Sequence, residues 1–190
     1  MSLILAGTGC GSHGSMTIET RDAVAKADVL IGAKRLLEGI PAASGAKKCS
    51  AIYADEILNI IKAEQAEGEK NICVLYSGDS GFYSGTRSLL PLLEDAGIDA
   101  KVLPGISSIQ LFAARLKTPW QDWELVSAHG TDCDPVTAVM KDKPVFFLTG
   151  GKLDPAILCH QLTEAGLGNL KVTVGERLSY DDEKIGRAHV

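Results

Sequence analysis

The chain predicts an α/β fold in two domains, on three observations. Apolar runs of strand length alternate with helix-length stretches from residue 2 to residue 116. Three of these runs stop at loops of glycine and small hydroxyl residues, as buried parallel strands do where they open onto a binding crevice. The stretch Lys117-Thr118-Pro119-Trp120-Gln121-Asp122 then breaks the rhythm. The expected division is therefore 1–117 and 118–190.

In order, 2–6 reads as a short buried strand, and Thr17 caps a helix over 18–26. A second strand covers 29–32, followed by a short helix at 33–38 and then Pro41 among small residues. Asp55 is expected to cap a helix reaching about 67, ended by Gly68. The apolar run 72–76 is a strand. The next helix, 86–96, contains Pro91, which must kink it or lie in its first turn. A strand at 100–103 and a helix at 109–116 complete the first part. Beyond the break, strands are expected at 124–127, 145–148 and 170–174. Asp134-Pro135 and Asp154-Pro155 each pair an N-cap with proline at the first helical position. The polar tail from 183 to 190 carries no clear element.

Composition narrows the function classes. The 190 residues are 45% hydrophobic and 23% charged, with a net charge of −5, which suits a soluble globular protein with a substantial core. With no basic run and 5% aromatic residues, no nucleic-acid surface is expected. The five cysteines are widely spaced without a CxxC pair. That argues against a disulfide framework or a zinc site and suits a reducing cytoplasm. Four scattered histidines add no metal-ligand pattern. No secretion signal or membrane span is expected.

The chemistry is expected in the loops. Ser77-Gly78-Asp79-Ser80-Gly81-Phe82-Tyr83-Ser84-Gly85 holds three glycines, a carboxylate and two aromatics. Asp79 either accepts hydrogen bonds from a ligand or serves as a helix N-cap. Gly7-Thr8-Gly9-Cys10-Gly11 raises a dinucleotide fold, but Ser12 stands where the fingerprint needs glycine, and Asp28 begins the second strand instead of closing it. Pro104-Gly105-Ile106-Ser107-Ser108 is either a plain turn with a serine cap or a set of hydroxyls and N–H groups facing a crevice. His129 is a proton carrier or a surface residue. Arg87, Arg115, Lys117, Lys34 and Arg35 read as solvated faces, or as contacts for an acidic substrate.

The order of these motifs resembles the tetrapyrrole methylases, which transfer methyl from S-adenosylmethionine during corrin and sirohaem synthesis. Gly7-Thr8-Gly9-Cys10-Gly11, Ser77-Gly78-Asp79, Pro104-Gly105-Ile106-Ser107-Ser108 and the segment 145–150 carry the likeness. Gly81-Phe82-Tyr83-Ser84-Gly85, Ser127-Ala128-His129-Gly130 and Gly175-Glu176-Arg177-Leu178-Ser179-Tyr180 resemble the branch that methylates C-5 of precorrin-7, also called precorrin-6Y methylases. Three positions depart from the family pattern: Cys10 and Ser80 where proline is usual, and Thr131 where the branch has arginine. Relatives continue into further strands after Tyr180, so the expectation is either a truncated chain or a variant whose second domain is incomplete.

The resemblance implies two α/β domains with a ligand cleft between them, the first with a mainly parallel sheet and the second with a mixed one. It implies S-adenosylmethionine as methyl donor, contacted by Cys10, Ser77, Gly78, Asp79, Phe82, Ser107, Ser108, Thr149 and Gly175. It further implies a precorrin substrate and a cytoplasmic homodimer. His129 and Tyr83 are the candidate bases, and no metal site is expected. An NAD(P)-dependent oxidoreductase and a non-catalytic ligand-binding relative stay open at this point.

Overall fold

The structure is a computed structural model and describes residues 2–39, 45–129, 133–150 and 153–189. It divides into two compact units, Met1–Ser108 and Ile109–Val190.

The first unit is a five-stranded parallel sheet. Its strands are β1 (Ser2–Gly7), β2 (Val29–Gly32), β3 (Lys47–Ser50), β4 (Asn71–Tyr76) and β5 (Lys101–Leu103), in the order β3-β2-β4-β1-β5. Alternate side chains feed two cores, because successive residues of a strand face opposite ways. On one face Leu3, Leu5, Val29, Ile31, Ile72 and Val74 pack with Ile57 and Ile61 of α3 (Ala54–Ala66) and Leu89 and Leu93 of α4 (Thr86–Asp95). On the other, Ala6, Leu30, Cys73, Leu75 and Leu103 meet Val24 of α1 (Ile18–Lys26) and Leu36 and Leu37 of α2 (Lys34–Gly39). The continuous burial of Val29–Gly32 is what helices on both faces produce.

This layout creates a topological switch point. Neighbouring strands β1 and β4 run side by side, with Gly7 opposite Tyr76. The chain leaving β1 enters α1 on one face, while the chain leaving β4 enters α4 on the other. Their departing chains set off toward opposite faces, the arrangement that puts binding sites outside the strand ends of open α/β sheets.

The second unit begins with α5 (Ser108–Leu116), most of which belongs to it. Strands β6 (Glu124–His129) and β7 (Val145–Gly150) are parallel, while β8 (Lys171–Glu176) and β9 (Lys184–His189) are antiparallel. Strands of both orientations are therefore present, in two separate ladders among the described residues. Phe112 and Trp123 pack on Phe146 with centroids 6.2 and 6.3 Å away. These contacts, with Arg115 Nε donating to Glu183 Oε1 at 2.6 Å, tie α5 into the second unit. That is why the division falls ahead of residue 117.

Several sequence expectations are revised. Tyr53, not Asp55, precedes α3, without a side-chain cap bond; Asp55 lies in the first turn, where its charge suits the helix dipole. Of the two alternatives for Pro91, its place inside α4 excludes the first turn. Strand β3 reads as loop because its Lys47-Lys48-Cys49-Ser50 is polar, and an edge strand tolerates that. Strand β9 occupies the tail that showed no pattern. The caps at Thr17, Asp134 and Asp154 form as expected, each accepting a backbone N–H. Pro41 lies outside the described residues.

Candidate active site

The loops that follow β1, β4 and β5 meet at the switch point and are bound to one another. Thr8 donates twice to the Tyr76 carbonyl, from its N–H and its Oγ1, both at 2.8 Å. Gly9 and Gly78 exchange backbone bonds of 3.0 and 2.8 Å in an isolated antiparallel bridge. Gly78 has φ +71°, a conformation side chains resist. Gly105 fits where nothing larger would: a Cβ there would lie 2.1 Å from the Gly78 carbonyl oxygen.

Asp79 is the fastener of this cluster. Its Oδ2 accepts the Gly105 N–H at 2.9 Å, and its Oδ1 accepts the Gly81 N–H at 2.9 Å. The carboxylate thus spans the loops after β4 and β5. It does not cap α4, which starts at Thr86. One lone pair remains on each oxygen for a further donor.

Two of the three departures from the family pattern, Ser80 and Cys10, have structural roles here. Ser80 is buried and donates its Oγ–H to the Leu103 carbonyl at 2.8 Å. Its own carbonyl accepts the hydroxyls of Ser84 and Thr86. Cys10 donates its thiol to the Ile106 carbonyl at 3.0 Å, and its N–H donates to Ser15 Oγ at 3.0 Å. Proline has neither a side-chain donor nor an N–H, so both substitutions add ties between loops. Burial pushes the Cys10 thiol up to about 11, so it is protonated and able to donate at neutral pH.

The structure brings Cys10, Gly78, Asp79 and the Gly105–Ser107 turn together by these bonds. Ser77 is exposed, Phe82 half-buried and Ser107 buried, while Ser108 opens α5. Tyr83 stands on the same loop with its ring half-exposed and meets Phe82 edge-on at 4.7 Å. In the second unit, His129 and Thr149 lie at the ends of paired strands β6 and β7. Gly150 passes so close to the His129 ring that a Cβ would lie 2.0 Å from Nδ1. Gly175 sits in β8, and a Cβ on it would meet Phe112 Cε2 at 2.7 Å, so a side chain there would have to displace that ring. Arg115 is engaged by Glu183, which removes it from the candidate contacts for an acidic substrate. Thr131 lies outside the described residues.

Sequence reasoning missed Thr8 and Gly105 as organisers, and it missed Tyr76. Burial pushes the Tyr76 phenol up to about 12, and its hydroxyl has no hydrogen-bond partner among the described residues. The aromatic residue ending an otherwise aliphatic run was the available signal.

Asp28 bears on the oxidoreductase reading. Its Oδ2 accepts the Asn71 N–H at 2.7 Å, at the start of β4 and so at the opposite end of the sheet from the loop cluster. It cannot reach a ribose held at the strand carboxyl ends. No cluster suited to a metal ion occurs among the described residues. Among them, too, no helix is long and apolar enough to cross a membrane.

Residues 2–190 match the family described as tetrapyrrole (corrin/porphyrin) methylases. The chain belongs to that family. The tetrapyrrole methylase chain is 31% identical over 185 residues to the cobalt-precorrin-7 C(5)-methyltransferase of Salmonella typhimurium, covering 96% of this chain and 88% of that one. It is 29% identical over 188 residues to the probable cobalt-precorrin-7 C(5)-methyltransferase of Methanocaldococcus jannaschii, covering 96% and 87%. Its fold matches the crystal structure of the methyltransferase CobJ with a TM-score of 0.81 and 21% identity, over 99% of this chain and 86% of that one.

Proposed function

We propose that this tetrapyrrole methylase is an S-adenosylmethionine-dependent C-methyltransferase of cobalamin biosynthesis, acting at C-5 of precorrin-7 or its cobalt-bearing form. The observation that carries this reading is the likeness to a cobalt-precorrin-7 C(5)-methyltransferase over nearly the whole of both chains.

The donor set at the strand ends fits an adenosyl amino acid. The exposed Ser77, the remaining lone pairs of Asp79 and the half-buried Phe82 ring match its hydroxyls, amine and purine. Ser107 and Ser108 extend that set. When bound, the donor supplies an activated methyl on a positively charged sulfur. The protein's task is then alignment, which converts an encounter into a single bound geometry. The fastened loops suit that task, because a preorganised site loses little further freedom on binding. The acceptor is an electron-rich ring carbon, so no activated protein nucleophile is required. A proton leaving the methylated carbon needs an acceptor, and His129 and Tyr83 are the candidates. A cytoplasmic homodimer completes the reading, checked by light scattering and fractionation.

Calorimetric titration with S-adenosylhomocysteine and with NADPH tests the donor. Saturable binding of the first and none of the second is expected. Turnover of cobalt-precorrin-7 and of metal-free precorrin-7 tests the acceptor, with one methyl gained at C-5 expected. Donor-product binding without methylation at any ring position would leave a non-catalytic relative instead.

A further inference from the structure

Among the described residues of the first unit, Tyr83 is the only non-glycine residue with left-handed backbone, at φ +48°. Bulky residues seldom adopt that conformation, and where they do the surroundings must impose it. Here they do. Buried Ser80 is bound to the Leu103 carbonyl on one side and gathers the Ser84 and Thr86 hydroxyls on the other. The segment between is thereby pinched, and Tyr83 lies within it. The result is a large ring that stays 49% exposed beside the strand-end cluster. Phe82 braces it edge-on, with ring planes at 68°. A loop needing only to turn would place glycine at this point.

We propose that Tyr83 is a specificity-determining contact that packs its ring against the flat conjugated face of the acceptor. The inference rests on the tetrapyrrole reading above. An aromatic ring recognises a macrocycle by offset stacking and apolar contact, and it does so irrespective of the charged groups at the macrocycle rim. The pinched backbone sets the ring's direction in advance, so little rotamer freedom is lost when the acceptor binds. This role needs the ring and not the hydroxyl.

Two variants separate the possibilities. Tyr83→Phe keeps the ring and removes the hydroxyl. Tyr83→Gly removes the ring at a backbone angle glycine accepts freely. Three quantities are measured: acceptor KM and kcat, S-adenosylhomocysteine affinity, and binding of uroporphyrin followed by fluorescence quenching. Tyr83→Gly is expected to raise acceptor KM and uroporphyrin Kd about tenfold, with the S-adenosylhomocysteine Kd held within about twofold. Tyr83→Phe is expected to keep the parent's acceptor KM, S-adenosylhomocysteine affinity and uroporphyrin Kd, whatever its kcat. Unchanged KM and uroporphyrin Kd in Tyr83→Gly would overturn the proposal. So would a rise of about tenfold in acceptor KM or uroporphyrin Kd in Tyr83→Phe, since the hydroxyl and not the ring would then make the contact. Ring-dependent uroporphyrin binding without methyl transfer would refute the reaction and leave this contact standing. A parent protein that neither binds uroporphyrin nor methylates either form of precorrin-7 would refute both.

Discussion

Replacing Asp79 by alanine removes two hydrogen bonds of 2.9 Å to backbone N–H groups, one on Gly81 in the loop after β4 and one on Gly105 in the loop after β5. The two losses are unequal. Gly81 is exposed, so water can take over as acceptor. Gly105 is buried, and stripping a buried N–H of its charged acceptor costs about 1.5–3 kcal/mol. We therefore expect a loss of about 2–3 kcal/mol, or a Tm lower by about 4–12 °C for a chain of this size. The released turn also carries Ser107, so S-adenosylhomocysteine should bind about tenfold or more weakly. Asp79→Asn is the informative control. Its single carbonyl oxygen can keep one N–H partner, while its amide group opposes the other, so it should fall between parent and alanine. Thermal unfolding and calorimetry on the three proteins decide the matter. An alanine variant with parental Tm and parental affinity would refute the fastening role. A parental Tm with weakened affinity would make Asp79 a ligand contact alone.

Gly105→Ala should be more severe for folding, since its Cβ would lie 2.1 Å from the Gly78 carbonyl oxygen and only backbone could move aside. A loss of about 3 kcal/mol or more is expected in denaturant unfolding. Cys10→Ala should lower stability by about 0.5–1.5 kcal/mol. Cys10→Pro should lower it further, because the bond to Ser15 Oγ is also lost. With its thiol held near 11, Cys10 should alkylate slowly at pH 8 and accelerate as the pH approaches 11, read by peptide mass spectrometry. Buried Glu64 accepts from Lys47 Nζ at 2.5 Å and Lys70 Nζ at 2.7 Å, which hold its carboxyl below the usual 4.5. A lowered folded-state value stabilises above the unfolded one and is lost as pH falls through it. Stability should therefore drop below about pH 4.5 in the parent, and Glu64→Gln should flatten that limb of the urea-unfolding profile.

The reach of the sequence can be judged from particular residues. The apolar run ending at Tyr76, the proline after each capping aspartate, and the threonine ahead of α1 act within one turn or one strand. Their outcome was legible because the forces involved are local. Strand β3 was not, because Lys47 to Ser50 becomes a strand only by pairing with Val29 to Gly32. Strand β9 likewise exists by pairing with β8. In the candidate site, the sequence marked Asp79 and the glycine loops as belonging together through family likeness. It did not reveal that Asp79 holds Gly105, twenty-six residues on, or that Ser80 and Cys10 each donate to a carbonyl of the third loop or the strand before it. It marked Tyr83 as a candidate base and gave no sign of its left-handed backbone.

The sequence by itself therefore determined the alternation of strands and helices, the polar ends of those helices, and the positions of three loops rich in small residues. Tertiary structure alone decided that β1 lies between β4 and β5, and with it which loops touch. The physical reason is that strand order is set by which faces the amphipathic helices can cover. No single segment carries that information, since each contributes only half of every contact.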